Sequence, residues 1–250
     1  MSTSAESAEP QPGPVRVAAV EREGFAITVP MTWWEFDLHP ATRDESVRRM
    51  VAKRVKENPA LAEHRDVIGR FLKKAARDAY ESGAVYVGCM AQNFGGLPLT
   101  ATVTVSLVGA RTADGQLLPA DPASIVAGLR PKEAAREGDT WRKVTTVEIP
   151  ETGLAARTYG VEDVQVPGDS RTVRAVLMQT FVPLPGRPDK VALVSGSSSV
   201  VDLADSFFDV FDAVTSTFRH RETQGRTGQE TGQETGPEPG AATSTSSPVS

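Results

Sequence analysis

The sequence contains a single cysteine, Cys89, and only three histidines. One cysteine excludes an intramolecular disulfide and a metal cage built from several thiolates, so nothing indicates an oxidising compartment. No stretch approaches the roughly 20 uninterrupted apolar residues of a membrane-spanning helix. The sequence also begins without a basic segment followed by an apolar block, so we expect no secretory signal. These absences together predict a cytoplasmic protein without a membrane span.

Charge of one sign does not dominate the chain either. Its net charge is −5, with 27 Lys and Arg against 32 Asp and Glu. This balance argues against a general affinity for nucleic acid, so we expect no nucleic-acid partner. With 39% hydrophobic and 24% charged residues, the composition is that of an ordinary globular protein.

The two ends of the chain differ in composition from its middle. Residues 1–14 are polar and contain proline, and residues 220–250 include the repeated Thr-Gly-Gln-Glu of 227–234. Such segments bury too little apolar surface to offset the entropy of ordering them. We therefore predict a disordered arm, a single domain over 15–219 and a disordered low-complexity tail.

Short β-rich runs joined by glycine-containing breaks predict two hairpins. Residues 15–20 and 25–29 flank a polar break that ends at Gly24. Residues 85–92 and 100–108 flank a second break with paired glycines, which accept the positive φ that tight turns need. In 100–108, Thr and Ser alternate with apolar residues, so this strand should have one polar face.

Two helices are predicted between these hairpins. Thr42 and Glu45 have capping-box spacing, and Pro59 ends the first helix. The second helix covers 61–82 and ends at Gly83. Apolar stripes at helical spacing mark the buried faces of the two helices: Val47, Met50, Val51 and Val55 in the first, and Ile68, Phe71, Leu72, Ala75 and Ala79 in the second.

The last predicted element is a helix capped by Asp202, with an acidic face opposite an apolar stripe. The stripe consists of Leu203, Phe207, Val210, Phe211, Val214 and Phe218. The other predicted elements are a short helix at 121–129 and strands at 143–149, 154–161, 172–182 and 191–198. The strand at 172–182 has apolar residues on both faces. The predicted fold is thus α+β, a largely antiparallel β-sheet covered by helices on both faces, with a helical insertion after the first hairpin.

This order of elements over 15–219 resembles the Mog1/PsbP-like α/β/α sandwich, particularly its small actinobacterial members. The matching pieces are an opening strand that runs into a Pro-x-x-Trp turn, here Val29-Pro-Met-Thr-Trp33-Trp34, an antiparallel middle and a phenylalanine-rich closing helix. The helical insertion departs from the compact pattern. The resemblance implies a binding or accessory protein and no particular mechanism. The composition also resembles that of soluble accessory proteins of type VII secretion clusters.

Few residues suggest catalysis. The run Ser195-Gly-Ser-Ser-Ser199 is not a Gly-x-Ser-x-Gly nucleophile elbow, so we interpret it as a strand-to-helix loop. Cys89 lies in a predicted strand, where a free thiol usually acts as a small hydrophobic residue.

The histidines suggest no metal site. His39 could pair with Glu35 or Asp37, but neither His39 nor His64 has a metal-ligand partner at i+3 or i+4, so surface histidines are the better interpretation. We therefore predict no catalytic residue, no metal ligand and no cofactor.

A contact surface is the best functional signal. Trp33, Trp34 and Phe36 cluster after the first hairpin, and the two predicted helices are locally basic in an acidic protein. A core anchor with one partly covered ring and a solvated helix surface are the structural alternatives. The predicted partner-binding residues are Trp33, Trp34, Phe36, Arg48, Arg49, Lys53 and Arg54.

Two functions remain open from the sequence. The first is a non-enzymatic binding or accessory protein with an unidentified protein partner, which could serve a larger complex such as a type VII secretion system. The alternative is a small-ligand carrier or an unrecognised enzyme with a pocket between the sheet and the helical insertion. An apolar pocket there would favour the second class. No oligomeric state is implied.

Overall fold

A computed structural model of the chain describes residues 17–22, 24–94, 97–110, 116–117, 119–165 and 170–221. Its strands are β1 (Val17–Arg22), β2 (Phe25–Pro30), β3 (Trp34–Phe36), β4 (Ala84–Phe94), β5 (Leu97–Gly109), β6 (Trp141–Ile149), β7 (Gly153–Gln165), β8 (Thr172–Pro183), β9 (Lys190–Ser198) and β10 (Arg219–His220). Its helices are α1 (Arg43–Glu57), α2 (Arg65–Glu81), α3 (Pro122–Gly128) and α4 (Ala204–Thr215), with 3₁₀ helices at Pro59–His64 and Val201–Leu203.

The strands form two antiparallel sheets. The large sheet has seven strands in the order β3-β4-β5-β9-β8-β7-β6, and the small one has the order β1-β2-β10. Every described neighbouring pair is antiparallel. The predicted α+β fold class is confirmed, including the helical insertion, since α1 and α2 follow the first strands.

Both predicted hairpins are present. β1 pairs with β2. Gly24 in the connecting turn has a φ of 89°, which residues other than glycine rarely adopt. β4 pairs with β5 along most of their lengths. The paired glycines that we predicted for the second turn lie outside the described residues.

The main core lies between one face of the large sheet, the small sheet and α4. Phe207 and Phe211 of α4 are buried in it, as is Phe218, whose ring lies 5.9 Å from that of Phe25. Gly196 of β9 allows α4 to approach closely, because a Cβ there would lie 2.3 Å from the Phe211 ring. This face is therefore closed by tightly packed aromatic side chains.

A buried arginine of the sheet forms a salt bridge with α4. The side chain of Arg157 on β7 is only 7% exposed and forms a salt bridge with Asp212 of α4. Its Nε donates to the hydroxyl of Thr180 on the neighbouring β8 at 3.0 Å. The guanidinium charge is thus paired at the border of the core, as a buried charge requires.

The opposite face of the large sheet is covered at its two ends. α3 contacts β6, β7 and β8. At the other end, α1 contacts β3 and α2 contacts β4. A second, smaller core joins α2 to the sheet, with Ala76 packed among Leu38, Ala84 and Val87. Both faces of the sheet therefore carry helices, and Ala175 and Val176 are buried on opposite sides of β8, as we predicted for that strand.

Of the two predicted helix caps, Thr42 stands at the N-cap position of α1 as predicted, whereas Asp202 does not cap α4. α1 begins directly after Thr42, but the Thr42 side chain makes no capping hydrogen bond. Asp202 lies in a short 3₁₀ helix, and α4 begins after Leu203. α4 also ends at Thr215, so the stripe that we extended to Phe218 leaves the helix and continues toward β10. The cap of α3 is as its sequence suggests, since the Asp121 carboxylate accepts from the Ser124 amide at 2.9 Å.

Two further local predictions need correction, and two short strands were missed. The second predicted helix is divided into a 3₁₀ turn at Pro59–His64 and α2, and the side chain of Asn58 accepts from the Ala60 amide at the start of the turn. The predicted serine-rich loop is largely strand, because 195–198 continue β9. The short strands β3 and β10 were not predicted, since two or three residues are too few for a periodic pattern.

Candidate functional site

A groove lies between the helical insertion and the end of the β4–β5 hairpin, with a volume of about 530 Å³. We call it the insertion groove. Its apolar wall comes from both helices and the turn between them: Met50, Val51 and Val55 of α1, Leu61 of the 3₁₀ turn, and Ile68 and Leu72 of α2. Ala91 of β4 adds to the wall from the sheet.

The groove explains why the apolar stripes of α1 and α2 are not simply core. Val47 and Val51 of α1 are buried, whereas Ile68 and Leu72 of α2 line the groove and are only partly covered. Phe71, which we placed in the α2 stripe, is 64% exposed, and the described α2 buries only Ala76 fully. The stripe that predicted a buried helix face therefore belongs largely to an open apolar surface.

Polar groups are confined to a few positions in the groove lining. The guanidinium carbon of Arg54 lies 3.1 Å from the centroid of the Trp34 ring, a cation–π contact. Nη1 of Arg54 also donates to Oε2 of Glu57 at 2.9 Å. Asn58, Gln92 and Thr100 complete the polar lining. Arg54 is the one cationic residue among the lining residues.

The structure separates the two adjacent tryptophans. Trp33 is 8% exposed and belongs to the main core, so its ring is not part of the outer surface. Trp34 lines the insertion groove. Phe36 packs partly buried against the smaller core. The predicted aromatic cluster is thus divided among three environments, and Trp34 alone lies beside Arg54.

The predicted basic residues of α1 form a surface next to the groove. Arg48 forms a salt bridge with Glu45 at 2.8 Å. Arg49 and Lys53 are exposed and form no ion pair within the described part of the chain. They line a second depression that shares Trp34, Met50 and Arg54 with the groove, so the two hollows adjoin.

Cys89 lies on the sheet beneath the insertion, paired with Trp34 across β3 and β4. Burial raises the pKa of its thiol from an ordinary value of 9.0 to about 11, and the positive charge of Arg54 opposes this shift to a smaller degree. A thiol with a raised pKa stays protonated at neutral pH and is a poor nucleophile. This environment is that of a structural side chain.

Ser198 and His39 lie in structural contacts. Ser198 donates through its hydroxyl to the Thr100 carbonyl at 2.7 Å and accepts from the Val200 amide. His39 accepts through Nδ1 from the Ala41 amide at 3.3 Å, and its own amide donates to Asp37. Within the described ranges, no three side chains of the His, Cys, Asp or Glu type converge on a possible metal position.

The fold and the groove define an α+β protein in which a helical insertion stands over one end of a seven-stranded antiparallel sheet. None of the helices described is long and apolar enough to cross a membrane.

Comparisons with known proteins add a resemblance in structure. No protein-family model matches the sequence, and no curated protein is significantly similar to it. Among solved structures, the chain is similar to LpqN of Mycobacterium tuberculosis, described as involved in cell envelope biogenesis. The TM-score is 0.38 at 11% sequence identity, over 82% of this chain and 91% of LpqN. A likeness at this level assigns neither a family nor a function to this chain.

Proposed function

We propose that this protein is a non-enzymatic binding protein whose insertion groove holds a small apolar ligand. The observation that carries the proposal is the groove itself, a concave apolar wall with a few polar groups. Its volume of about 530 Å³ falls within the roughly 300–1,000 Å³ of known ligand pockets.

The contrast with the rest of the molecule supports a ligand. The core beneath α4 is filled by aromatic side chains, whereas the groove leaves apolar side chains of α1 and α2 uncovered by protein. Covering them with an apolar molecule gains about 0.8 kcal/mol for each buried methylene. The described lining contains no histidine, cysteine or serine, which favours binding over catalysis.

A fluorescence titration with the uncharged probe N-phenyl-1-naphthylamine tests this function. We expect its emission to rise on binding to the wild-type protein, because the groove removes it from water. The variant Val55→Trp fills the groove and should weaken binding at least tenfold. Val67→Trp is the matched control, since Val67 is 58% exposed and lies outside the groove lining.

Urea unfolding of both variants separates lost binding from lost structure. Equal probe binding by the two tryptophan variants would place the probe elsewhere. No binding by the folded wild-type protein would contradict the proposal outright.

A second function is favoured by the exposed cations of α1. We propose that Arg48, Arg49 and Lys53 also contact an acidic surface of a protein partner, as an accessory protein would. The supporting observation is that Arg49 and Lys53 are unpaired within the described residues, so they keep their charge available for a partner. Long-range attraction of this kind weakens as salt is added.

Charge reversal tests the partner surface. Arg48→Glu/Arg49→Glu should lose a partner that wild type recovers from native lysate, and the purified partner should bind wild type less tightly as salt rises. Arg136→Glu/Arg187→Glu makes the same charge change away from α1 and should keep the partner. Identical partner sets for all three proteins would reject this surface.

A further inference from the structure

We infer that the ligand of the insertion groove is a carboxylate with an alkyl tail, and that Arg54 binds its headgroup. The inference rests on the proposed ligand-binding function and names the chemical class of the ligand. It follows from the position of one guanidinium at the border between an apolar wall and solvent.

Arg54 lies where a headgroup would need a partner. Its side chain is 34% exposed, and it lines both the groove and the neighbouring depression. An alkyl chain placed against Val55, Leu61 and Leu72 would leave its polar end free to meet Arg54 and solvent. The carboxylate would then keep part of its hydration, which avoids the large cost of burying a charge completely.

Some N–H donors of the Arg54 guanidinium have no partner among the described residues. Only Nη1 donates to a described residue, Glu57, whereas Nε and Nη2 have no hydrogen-bond partner in the described chain. The stacking on Trp34 restricts the orientation of the guanidinium. An arginine held in this way presents a planar pair of N–H groups that matches the two oxygens of a carboxylate.

The surrounding charges favour an anion despite Glu57. Arg49, Lys53 and Arg54 line the adjoining depression, and Glu57 is the one acidic residue among the described linings of the two hollows. The mouth therefore has a net positive charge. Since a single cation lines the groove itself, a singly charged carboxylate suits it better than a more highly charged group.

Competition against bound N-phenyl-1-naphthylamine tests the headgroup separately from the tail. Dodecanoate and 1-dodecanol have the same alkyl chain, so their difference reports on the carboxylate. We expect dodecanoate to displace the probe from wild type at a concentration roughly tenfold lower, the effect of a charge-assisted hydrogen bond.

Arg54→Met keeps an apolar stem and removes the charge, so this variant should bind the alcohol as wild type does and lose its preference for the acid. Lys56→Met is the matched control: Lys56 is an exposed cation of α1 outside both hollows, so this variant should keep the preference. An equal response of wild type to both compounds, or a preference that survives Arg54→Met, would overturn the headgroup assignment while leaving the groove intact. Failure of both compounds to displace the bound probe would instead count against the proposed function.

Discussion

The two faces of the large sheet are covered by helices in different ways. α4 closes one face with buried phenylalanines and a close approach to Gly196. The insertion covers the other face incompletely, because Ile68 and Leu72 face a groove and α2 buries only Ala76 among its described residues. Two amphipathic patterns that look alike in sequence thus serve packing in one region and an open apolar surface in the other.

The difference has an electrostatic side as well. Asp205 and Asp209 lie on the exposed side of α4, whereas the exposed side of α1 carries Arg49 and Lys53, which are unpaired among the described residues. The protein is acidic as a whole, so the exposed cations of α1 contrast with its net charge. An anionic ligand or partner would therefore be attracted to the insertion and repelled by α4.

The largest expected effect comes from truncating the aromatic core. Phe211→Ala should lower the free energy of unfolding by about 4 kcal/mol, because Phe211 is almost fully buried and its removal leaves a cavity. Phe71→Ala removes the same ring from the insertion, where it is exposed, and should change stability by less than about 0.5 kcal/mol. Urea unfolding compares the two variants, and similar losses would abolish the distinction between the two regions.

The adjacent tryptophans allow the same comparison within one turn. Trp33→Ala should cost about 3 kcal/mol of stability, since its ring belongs to the main core. Trp34→Ala loses a stacking partner of Arg54 and should cost about 1 kcal/mol. The affinity of the folded protein for the probe should show the reverse order and fall more in Trp34→Ala than in Trp33→Ala. A Trp34 variant that is the less stable of the two would contradict the division.

The reactivity of Cys89 tests how well the sheet beneath the insertion is shielded. With a pKa raised from 9.0 to about 11, the thiolate population near neutral pH is smaller by about a hundredfold. Alkylation by iodoacetamide at mildly alkaline pH should therefore be about a hundredfold slower, or more, in folded than in urea-unfolded protein. In folded protein the rate should keep rising with pH beyond the point where the unfolded chain levels off.

Arg54→Met tests the electrostatic contribution to this reactivity. Loss of the Arg54 charge removes an influence that lowers the pKa of Cys89, so alkylation should become slower still. Folded protein that reacts as fast as the unfolded chain would show that water reaches the sheet under the insertion freely.

Much of the fold could be predicted from local patterns. The hairpin turn at Gly24 and the alternation in β5 follow from backbone sterics and strand periodicity, and both are present. The start of α1 after Thr42 is as predicted, but its side chain makes no capping hydrogen bond, and the predicted cap at Asp202 is wrong. A capping motif shows only that such a hydrogen bond is available. β10 exists through its pairing with β2, which is far away in the sequence. A segment of two residues is too short for its own pattern to predict such a pairing.

The candidate site could be predicted only in part. The sequence predicts Trp34 and Arg54 as residues of a contact surface, and it leaves open a pocket between the sheet and the helical insertion. Periodicity could not show that Ile68 and Leu72 line a groove, because an apolar stripe looks the same whether protein or ligand covers it. The contact between Arg54 and Trp34 depends on the placement of α1 beside the sheet edge.

The most direct test of the groove is nuclear Overhauser contact between bound 1-dodecanol and the protein. With methyl groups labelled selectively, the account predicts contacts from the alkyl chain to Val55, Leu61 and Leu72, and none to Val176 or Val182 in the core under α4. Contacts to those core valines, or an absence of contacts to the groove methyl groups at saturating ligand, would contradict it.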